Sequence, residues 1–292
     1  MKKPNVFIIG APKCGTTSLA DWLAAHPQVY FSPIKEPSYF NYDYGYRRPL
    51  TLRQYEQFFA GANEHHKAVC EASVRYLYSR TAVPAILAYA DQPRFVVMLR
   101  NPVKMAASLH EQTLFNGDED EPDFERAWHL QHERLYGKSL PKACRDPQLL
   151  QYGTLCKLGE QLEQLYRLVP QDQVHVIHLE RMSASPRLEW LRLQTFLGLE
   201  DDGRESFPVA NTAKERRCPW VMEGMRRLNA LIRGLGVPYV RLGLTHFLNK
   251  RLVRQRPRLP VSTQLHQELE AYFEYDQKLL KNRGQSCSKE HH

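Results

Sequence analysis

A short, mainly apolar run from Asn5 to Gly10 (NVFIIG) ends at a glycine, and TTSLADWLAAHP then switches to helical spacing, with Leu19, Trp22 and Leu23 on one face. The pattern predicts a strand, a loop and a helix. RFVVMLR begins a second such unit. Phe95 to Leu99 is a continuous apolar run of the kind that is covered on both faces, and Asn101-Pro102 starts the turn into the helical pattern VKMAASLHEQTLF. VHVIHLE, Val174 to Glu180, predicts a third strand after the amphipathic helix of YGTLCKLGEQLEQLYRLVP, and AVCEAS around Val69 supplies another. The segment FNGDEDEPDFERAWHLQHERL reads as an acidic loop followed by a helix capped near Pro122-Asp123, and SASPRLEWLRLQTFLGLE as a helix closing near Gly198. At the far end, Ser262 or Thr263 caps a helix with Leu265, Leu269, Tyr272 and Phe273 at helical spacing, which predicts that the tail packs back on the body.

Strands alternating with helices predict an α/β fold with a central parallel β-sheet flanked by helices in three layers, and ligands at the carboxyl ends of the strands. Neither repeats nor low-complexity tracts interrupt the chain, so 1–292 reads as a single domain with 284–292 as a disordered tail. Composition narrows the ligand. Forty Lys and Arg against 32 Asp and Glu give a net charge of +8, which suits an anionic partner without choosing between nucleotide, glycan, nucleic acid and membrane surface. The basic stretch 241–258 (RLGLTHFLNKRLVRQRPR) is either a binding face or a solvated one. Six scattered cysteines show no metal-ligand spacing and suit reduced thiols, and no apolar run approaches the roughly 20 residues of a membrane helix, so the expectation is a soluble cytoplasmic protein.

The loop Gly10 to Ser18 (GAPKCGTTS) carries the chemistry. Gly10 and Gly15 let the backbone curl so that successive N–H groups point inward, and the helix beginning there adds the positive end of its dipole. Thr16, Thr17 and Ser18 add hydroxyls, and Lys13 adds a cation. The nucleotide-triphosphate version of this loop, G-x-x-x-x-G-K-[ST], puts its lysine directly after the second glycine. Here Thr16 stands at that position and the lysine precedes Gly15 by two residues, a pattern better suited to holding a single phosphate without a metal than to ATP hydrolysis. Arg100 ends the second strand, at the edge where such ligands sit, with a planar fork that matches a phosphate. Ser108 follows about two helical turns later and reaches the same ligand only if its helix runs beside it.

Taken together, these motifs resemble the sulfotransferases that use 3′-phosphoadenosine 5′-phosphosulfate, especially the carbohydrate and heparan type and their bacterial relatives, in motif order from about Asn5 to about Arg283. The resemblance implies a P-loop-like fold and transfer of a sulfuryl group to an acceptor hydroxyl or amine, leaving 3′,5′-adenosine bisphosphate. No metal and no nucleic acid beyond the nucleotide donor are implied. GAPKCGTTSL is similar to the family's 5′-phosphosulfate loop, which assigns Lys13, Cys14, Gly15, Thr16, Thr17 and Ser18 to the donor. RFVVMLRNPVKMAASLH is similar to its 3′-phosphate motif, which assigns Arg100 and Ser108. By the same likeness Tyr152 is a contact near donor or acceptor, and NTAKERRCPW nominates Lys214, Arg216 and Arg217 on a loop closing over the nucleotide.

SPIKEPSYF resembles the heparan-type segment whose Lys-Glu pair precedes a His and aromatics, and where the Glu is the base on the acceptor hydroxyl; this implies Glu36 as base, beside Lys35 and Tyr39. A sugar hydroxyl is a poor nucleophile, and a placed carboxylate takes its proton as the new bond forms. Lys13 then stabilises the charge growing on the leaving phosphate. Two positions depart from that pattern: Ser38 stands where His is common, and Ala72 where a Lys often follows the Glu. Glu71, Ser73, Arg75, His110 and Glu111 are further polar candidates near the cleft, with His110 the alternative base. The competing readings are a P-loop kinase or ATPase and a non-catalytic protein that binds anionic glycans. Acceptor choice is expected in variable loops such as 41–55 and 115–150.

Overall fold

The computed structural model describes residues 2–43, 50–209, 214–216, 253–255 and 261–289, with the side chains of 214–216, 253–255 and 282–289 outside that description. In chain order the elements are β1 (Val6–Gly10), α1 (Thr16–Ala24), β2 (Val29–Phe31), α2 (Leu52–Gln57), β3 (Ala68–Ala72), α3 (Ala82–Tyr89), β4 (Arg94–Leu99) and α4 (Pro102–Asn116). They continue as α5 (Phe124–His129), α6 (Gln131–Leu135), α7 (Tyr152–Leu155), α8 (Leu158–Leu168), β5 (Val174–His178), α9 (Leu179–Ala184) and α10 (Pro186–Leu197). The last described elements are β6 (Lys214–Arg216), β7 (Val253–Gln255) and α11 (Thr263–Lys289).

Strands β1 to β5 form one parallel sheet in the order β2-β3-β1-β4-β5. All five β1 residues are buried, as the continuous apolar run requires of a central strand covered on both faces. Because β1 lies between β3 and β4, the chain winds outward in both directions from it. The crevice at the carboxyl end of β1 is therefore the topological switch point, where α/β sheets bind ligands. β6 and β7 form a separate antiparallel pair, and β6 lies beside α4.

The tail packs as its periodicity predicts: Leu265, Leu269 and Phe273 of α11 are buried, α11 lies against α8 and α4, and Ser262 Oγ accepts the Leu265 N–H (3.1 Å). Its backbone stays helical through Lys289, across the start of the segment assigned to a tail. The single helix predicted over 152–170 is two, separated at Cys156 and Lys157. The reason lies in α11, where Asp276 accepts the N–H groups of Gly159 (3.0 Å) and Glu160 (2.9 Å) and caps a fresh helix start. This requires close approach. A Cβ on Gly159 would stand 2.4 Å from the Asp276 carbonyl oxygen, so Gly159→Ala should lower the urea midpoint, at unchanged m, by the equivalent of about 1 to 3 kcal/mol.

The acidic segment after α4 is not a solvated loop. Glu119 is buried and accepts two hydrogen bonds from the buried Arg134 guanidinium (2.6 and 2.7 Å) and one from the Tyr152 hydroxyl (2.6 Å). Burial alone would raise the Glu119 carboxyl, but these donors hold it below its ordinary range. The stretch expected to be variable is thus pinned near its base by a charge pair whose loss on one side would be costly. Asp123 caps α5 as predicted, its side chain accepting the Arg126 N–H (2.9 Å). Among the described residues no helix is long and apolar enough to cross a membrane.

Candidate active site

The ladder of β1 carries one step past Gly10, with the Ala11 N–H donating to Met98 O (2.9 Å), and the chain then turns through Lys13 and Gly15 into α1. Gly15 is the N-cap of α1 at φ 89, in the left-handed region that glycine adopts without cost, and a Cβ there would meet Leu179 Cδ1 at 2.8 Å. Having no side chain, it offers α1 no side-chain cap, so the first turn has N–H groups for an outside acceptor, with Thr16 and Ser18 buried beside them and Thr17 half-buried. That donor set, with the dipole end behind it, fits an anionic phosphate or sulfate. Lys13 also sits at positive φ, 65°, where a non-glycine residue is strained.

Two contacts tie this loop to the end of β4 and to α4. The Arg100 guanidinium donates from Nη1 to the Lys13 carbonyl oxygen (3.0 Å), and Lys13 Nζ donates to Gln112 Oε1 on α4 (3.0 Å). Gln112 is oriented in turn by its Nε2 donating to Asn116 Oδ1 (3.0 Å). Ser108 is four residues before Gln112, one turn along the same helix face, and is fully buried. The sequence requirement that this helix pass beside the loop is met. Asn101 Oδ1 caps α4 by accepting the Lys104 N–H (3.1 Å), and Pro102 occupies the first turn, so the helix starts immediately after Arg100.

Glu36 lies on the loop after β2, at the same edge of the sheet. Its N–H donates to Ala72 O (2.8 Å), Ala72 pairs in register with Ile8, and Gly10 is two residues on from Ile8. Its carboxylate accepts from Lys35 Nζ (2.9 Å), both side chains being partly exposed. Glu36 and Ser38 have φ of 59° and 52°. With Lys13 they are three of the five described non-glycine residues at positive φ, so backbone strain concentrates on the two loops that carry the candidate chemistry. The next residues are held by hydroxyls: Ser73 Oγ accepts the Ser38 N–H (3.0 Å), and the Tyr76 hydroxyl accepts those of Tyr39 (2.9 Å) and Phe40 (3.3 Å). Tyr39 stacks on Tyr55, with ring centroids 4.6 Å apart.

Other nominated residues stand differently. Cys14 is buried with its Sγ against Met105 Sδ (3.8 Å), burial pushes its thiol far above the ordinary range, and its N–H donates to Ala11 O (3.3 Å). Tyr152 and His110 lie together in a buried cluster behind α4: the Tyr152 hydroxyl donates to Glu119, and His110 Nε2 donates to the Glu121 carbonyl (2.8 Å). Burial holds the His110 imidazole below its ordinary pKa, as a neutral ring. Arg75 is half-buried in the turn after β3, beside Tyr78. Lys214 and Arg216 lie on β6, while Arg217 and most of 241–258 lie outside the described residues. Gln112 and Tyr76 were not singled out by sequence; Gln112 follows Ser108 at i+4, the one signal that could have found it. Among the described residues no group of three or more His, Cys, Asp or Glu could hold a metal ion.

Against known proteins, a family model described as the sulfotransferase domain matches residues 3–216. Mouse heparan sulfate glucosamine 3-O-sulfotransferase 3A1 is 29% identical over 232 residues, 78% of this chain and 54% of that one. Human carbohydrate sulfotransferase 15 is 65% identical over 34 residues, 12% of this chain and 6% of that one. A solved sulfotransferase from Alicyclobacillus acidocaldarius superposes with a TM-score of 0.63 at 26% identity, covering 80% of this chain and 97% of that structure. The chain spans about half the length of the heparan-type relative.

Proposed function

Because this chain belongs to the sulfotransferase domain family, we propose that it works as a single domain transferring a sulfuryl group from 3′-phosphoadenosine 5′-phosphosulfate to a hydroxyl or amine of a glycan, glycolipid or small metabolite. The observation that carries this reading is the link from Arg100 to the Lys13 carbonyl and from Lys13 to Gln112, which joins a 5′-phosphate cradle to the strand end and helix face of Arg100 and Ser108. A donor with phosphates at both ends of its ribose needs two such anion sites side by side. The names of the two relatives, one acting on heparan sulfate glucosamine and one on carbohydrate, favour a glycan among the acceptors.

In this reading, the 5′-phosphosulfate rests on the N–H groups and hydroxyls of residues 13–18, and the 3′-phosphate on Arg100 and Ser108, with Lys214 and Arg216 approaching on β6 beside α4. The donor supplies an activated sulfur–oxygen bond. The acceptor oxygen forms a bond to sulfur as the bond from sulfur to the 5′-phosphate oxygen breaks, in line, and the acceptor proton goes to the Glu36 carboxylate. Lys13 and the α1 N-terminus balance the charge on the departing bisphosphate.

Thermal shift tests the donor assignment without knowing the acceptor. 3′,5′-Adenosine bisphosphate at about 100 times its Kd should stabilise the chain by about 2.7 kcal/mol, whereas ATP with magnesium should give a smaller shift. A shift with ATP and magnesium and none with the bisphosphate would overturn the proposal. Screening glycans, glycolipids and metabolites with labelled donor then identifies the acceptor.

A further inference from the structure

Glu71 is a carboxylate at the end of β3 with no exposure to solvent, and its contacts are hydroxyls. Tyr55 donates to Oε2 and Ser73 to Oε1, each at 2.6 Å, and the Tyr76 hydroxyl lies beside both Ser73 and Glu71. A carboxylate only accepts, so each hydroxyl that donates to it points its proton inward and leaves its lone pairs facing away. Two of these oxygens, Ser73 Oγ and Tyr76 Oη, use those lone pairs to accept the N–H groups of Ser38, Tyr39 and Phe40. Glu71 thereby fixes the polarity of a two-step relay that ends on the backbone of the Glu36 loop. That loop needs an external hold, because Glu36 and Ser38 are both at positive φ.

We propose that Glu71 is a positioning residue which, by orienting the Ser73 and Tyr76 hydroxyls, holds the 38–40 backbone and so aims the Glu36 carboxylate; this rests on the reading of Glu36 as base. A neutral amide of the same shape substitutes only in part. It accepts at one end and donates at the other, so Gln holds fewer hydroxyl protons pointing inward than the carboxylate does, and the relay loses its fixed polarity. Burial, helped by the Glu36 charge, pushes the Glu71 carboxyl up to about 7 against the hydroxyl donors that lower it. The other titratable groups packed on it are Tyr55 on α2, Tyr76 after β3 and Tyr89 on α3, all held neutral by burial well above that range. Below about pH 7 the protonated Glu71 must itself donate, and when it donates to Ser73 or Tyr76 that arm of the relay reverses and the loop loosens.

Amide hydrogen exchange on the full chain tests this with no acceptor present. Relative to wild type at pH 8, Glu71→Gln should speed exchange at Ser38, Tyr39 and Phe40 by at least about 10-fold, with affinity for 3′,5′-adenosine bisphosphate within about twofold. Tyr76→Phe should do the same at Tyr39 and Phe40 if Glu71→Gln does not fold, while Tyr55→Phe, which removes a donor to Glu71 but keeps the ring that stacks on Tyr39 and accepts no N–H of the loop, should have the smaller effect. Protection of Tyr39, corrected for intrinsic rates, should rise between pH 6 and 8 in wild type and stay flat in Glu71→Gln; a merely structural role would not produce that pH trend. Unchanged exchange at 38–40 in both Glu71→Gln and Tyr76→Phe, or a pH trend that persists without the carboxylate, overturns the proposal. Should the loop loosen as expected while Glu36→Gln turns over normally, the base assignment is lost and the role of Glu71 in holding the loop stands.

Discussion

Lys13→Ala should lower kcat by about 100- to 1000-fold, about 3 to 4 kcal/mol, the cost of removing one preorganised donor from a site of charge development. The loop itself should survive the change. Its geometry is held by main-chain contacts, the Arg100 guanidinium gripping the carbonyl of Lys13 and Gly15 supplying the left-handed turn. Alanine at φ 65 is no more strained than lysine there, so the ligand-free melting temperature should move by only a few degrees. The bisphosphate should still shift the melting temperature, because the α1 N-terminus and Arg100 remain. Lys13→Arg should recover part of the rate, since it restores a cation while moving it away from Gln112, the Lys13 partner. A kcat for Lys13→Ala within about threefold of wild type at saturating donor would remove Lys13 from the chemistry.

That loop was legible because every signal in it is local. The buried run of β1, two glycines and an amphipathic helix fall within twenty residues, and β4 likewise runs through Arg100 directly into α4. β2 went unread because three residues, Val29–Phe31, are too few to show a period. The break between α7 and α8 was out of reach for another reason: its cause, Asp276, is 117 residues further on. Long range also hid the anchoring of the acidic segment, since an Asp-Glu run looks solvated until Arg134 and Tyr152 are seen to fold over it. Glu71 was marked as a polar candidate near the cleft. Its burial does not show in the sequence, because its partner Tyr55 comes from α2 and Tyr76 from the turn after β3, elements that meet only in the fold.

Glu36→Gln should lower kcat by about 100- to 10,000-fold at saturating acceptor, the range that a placed general base contributes, with bisphosphate affinity unchanged. The amide fills the same space and cannot take a proton. Lys35 is the natural control, for its pair with Glu36 is partly exposed and of the kind whose energetic contribution is small, so Lys35→Met should cost far less than loss of the carboxylate. The backbone gives a sharper test. At φ 59 a glycine would be relaxed where glutamate is strained, so Glu36→Gly should leave the chain at least as stable while abolishing turnover. Stability and activity would then move independently at one residue, which is expected where strain is retained for chemistry. If instead Glu36→Gly unfolds the loop at 38–40, the positive φ serves the hydroxyl relay from Glu71; and if Glu36→Gln turns over normally with saturating acceptor, the base is a different group.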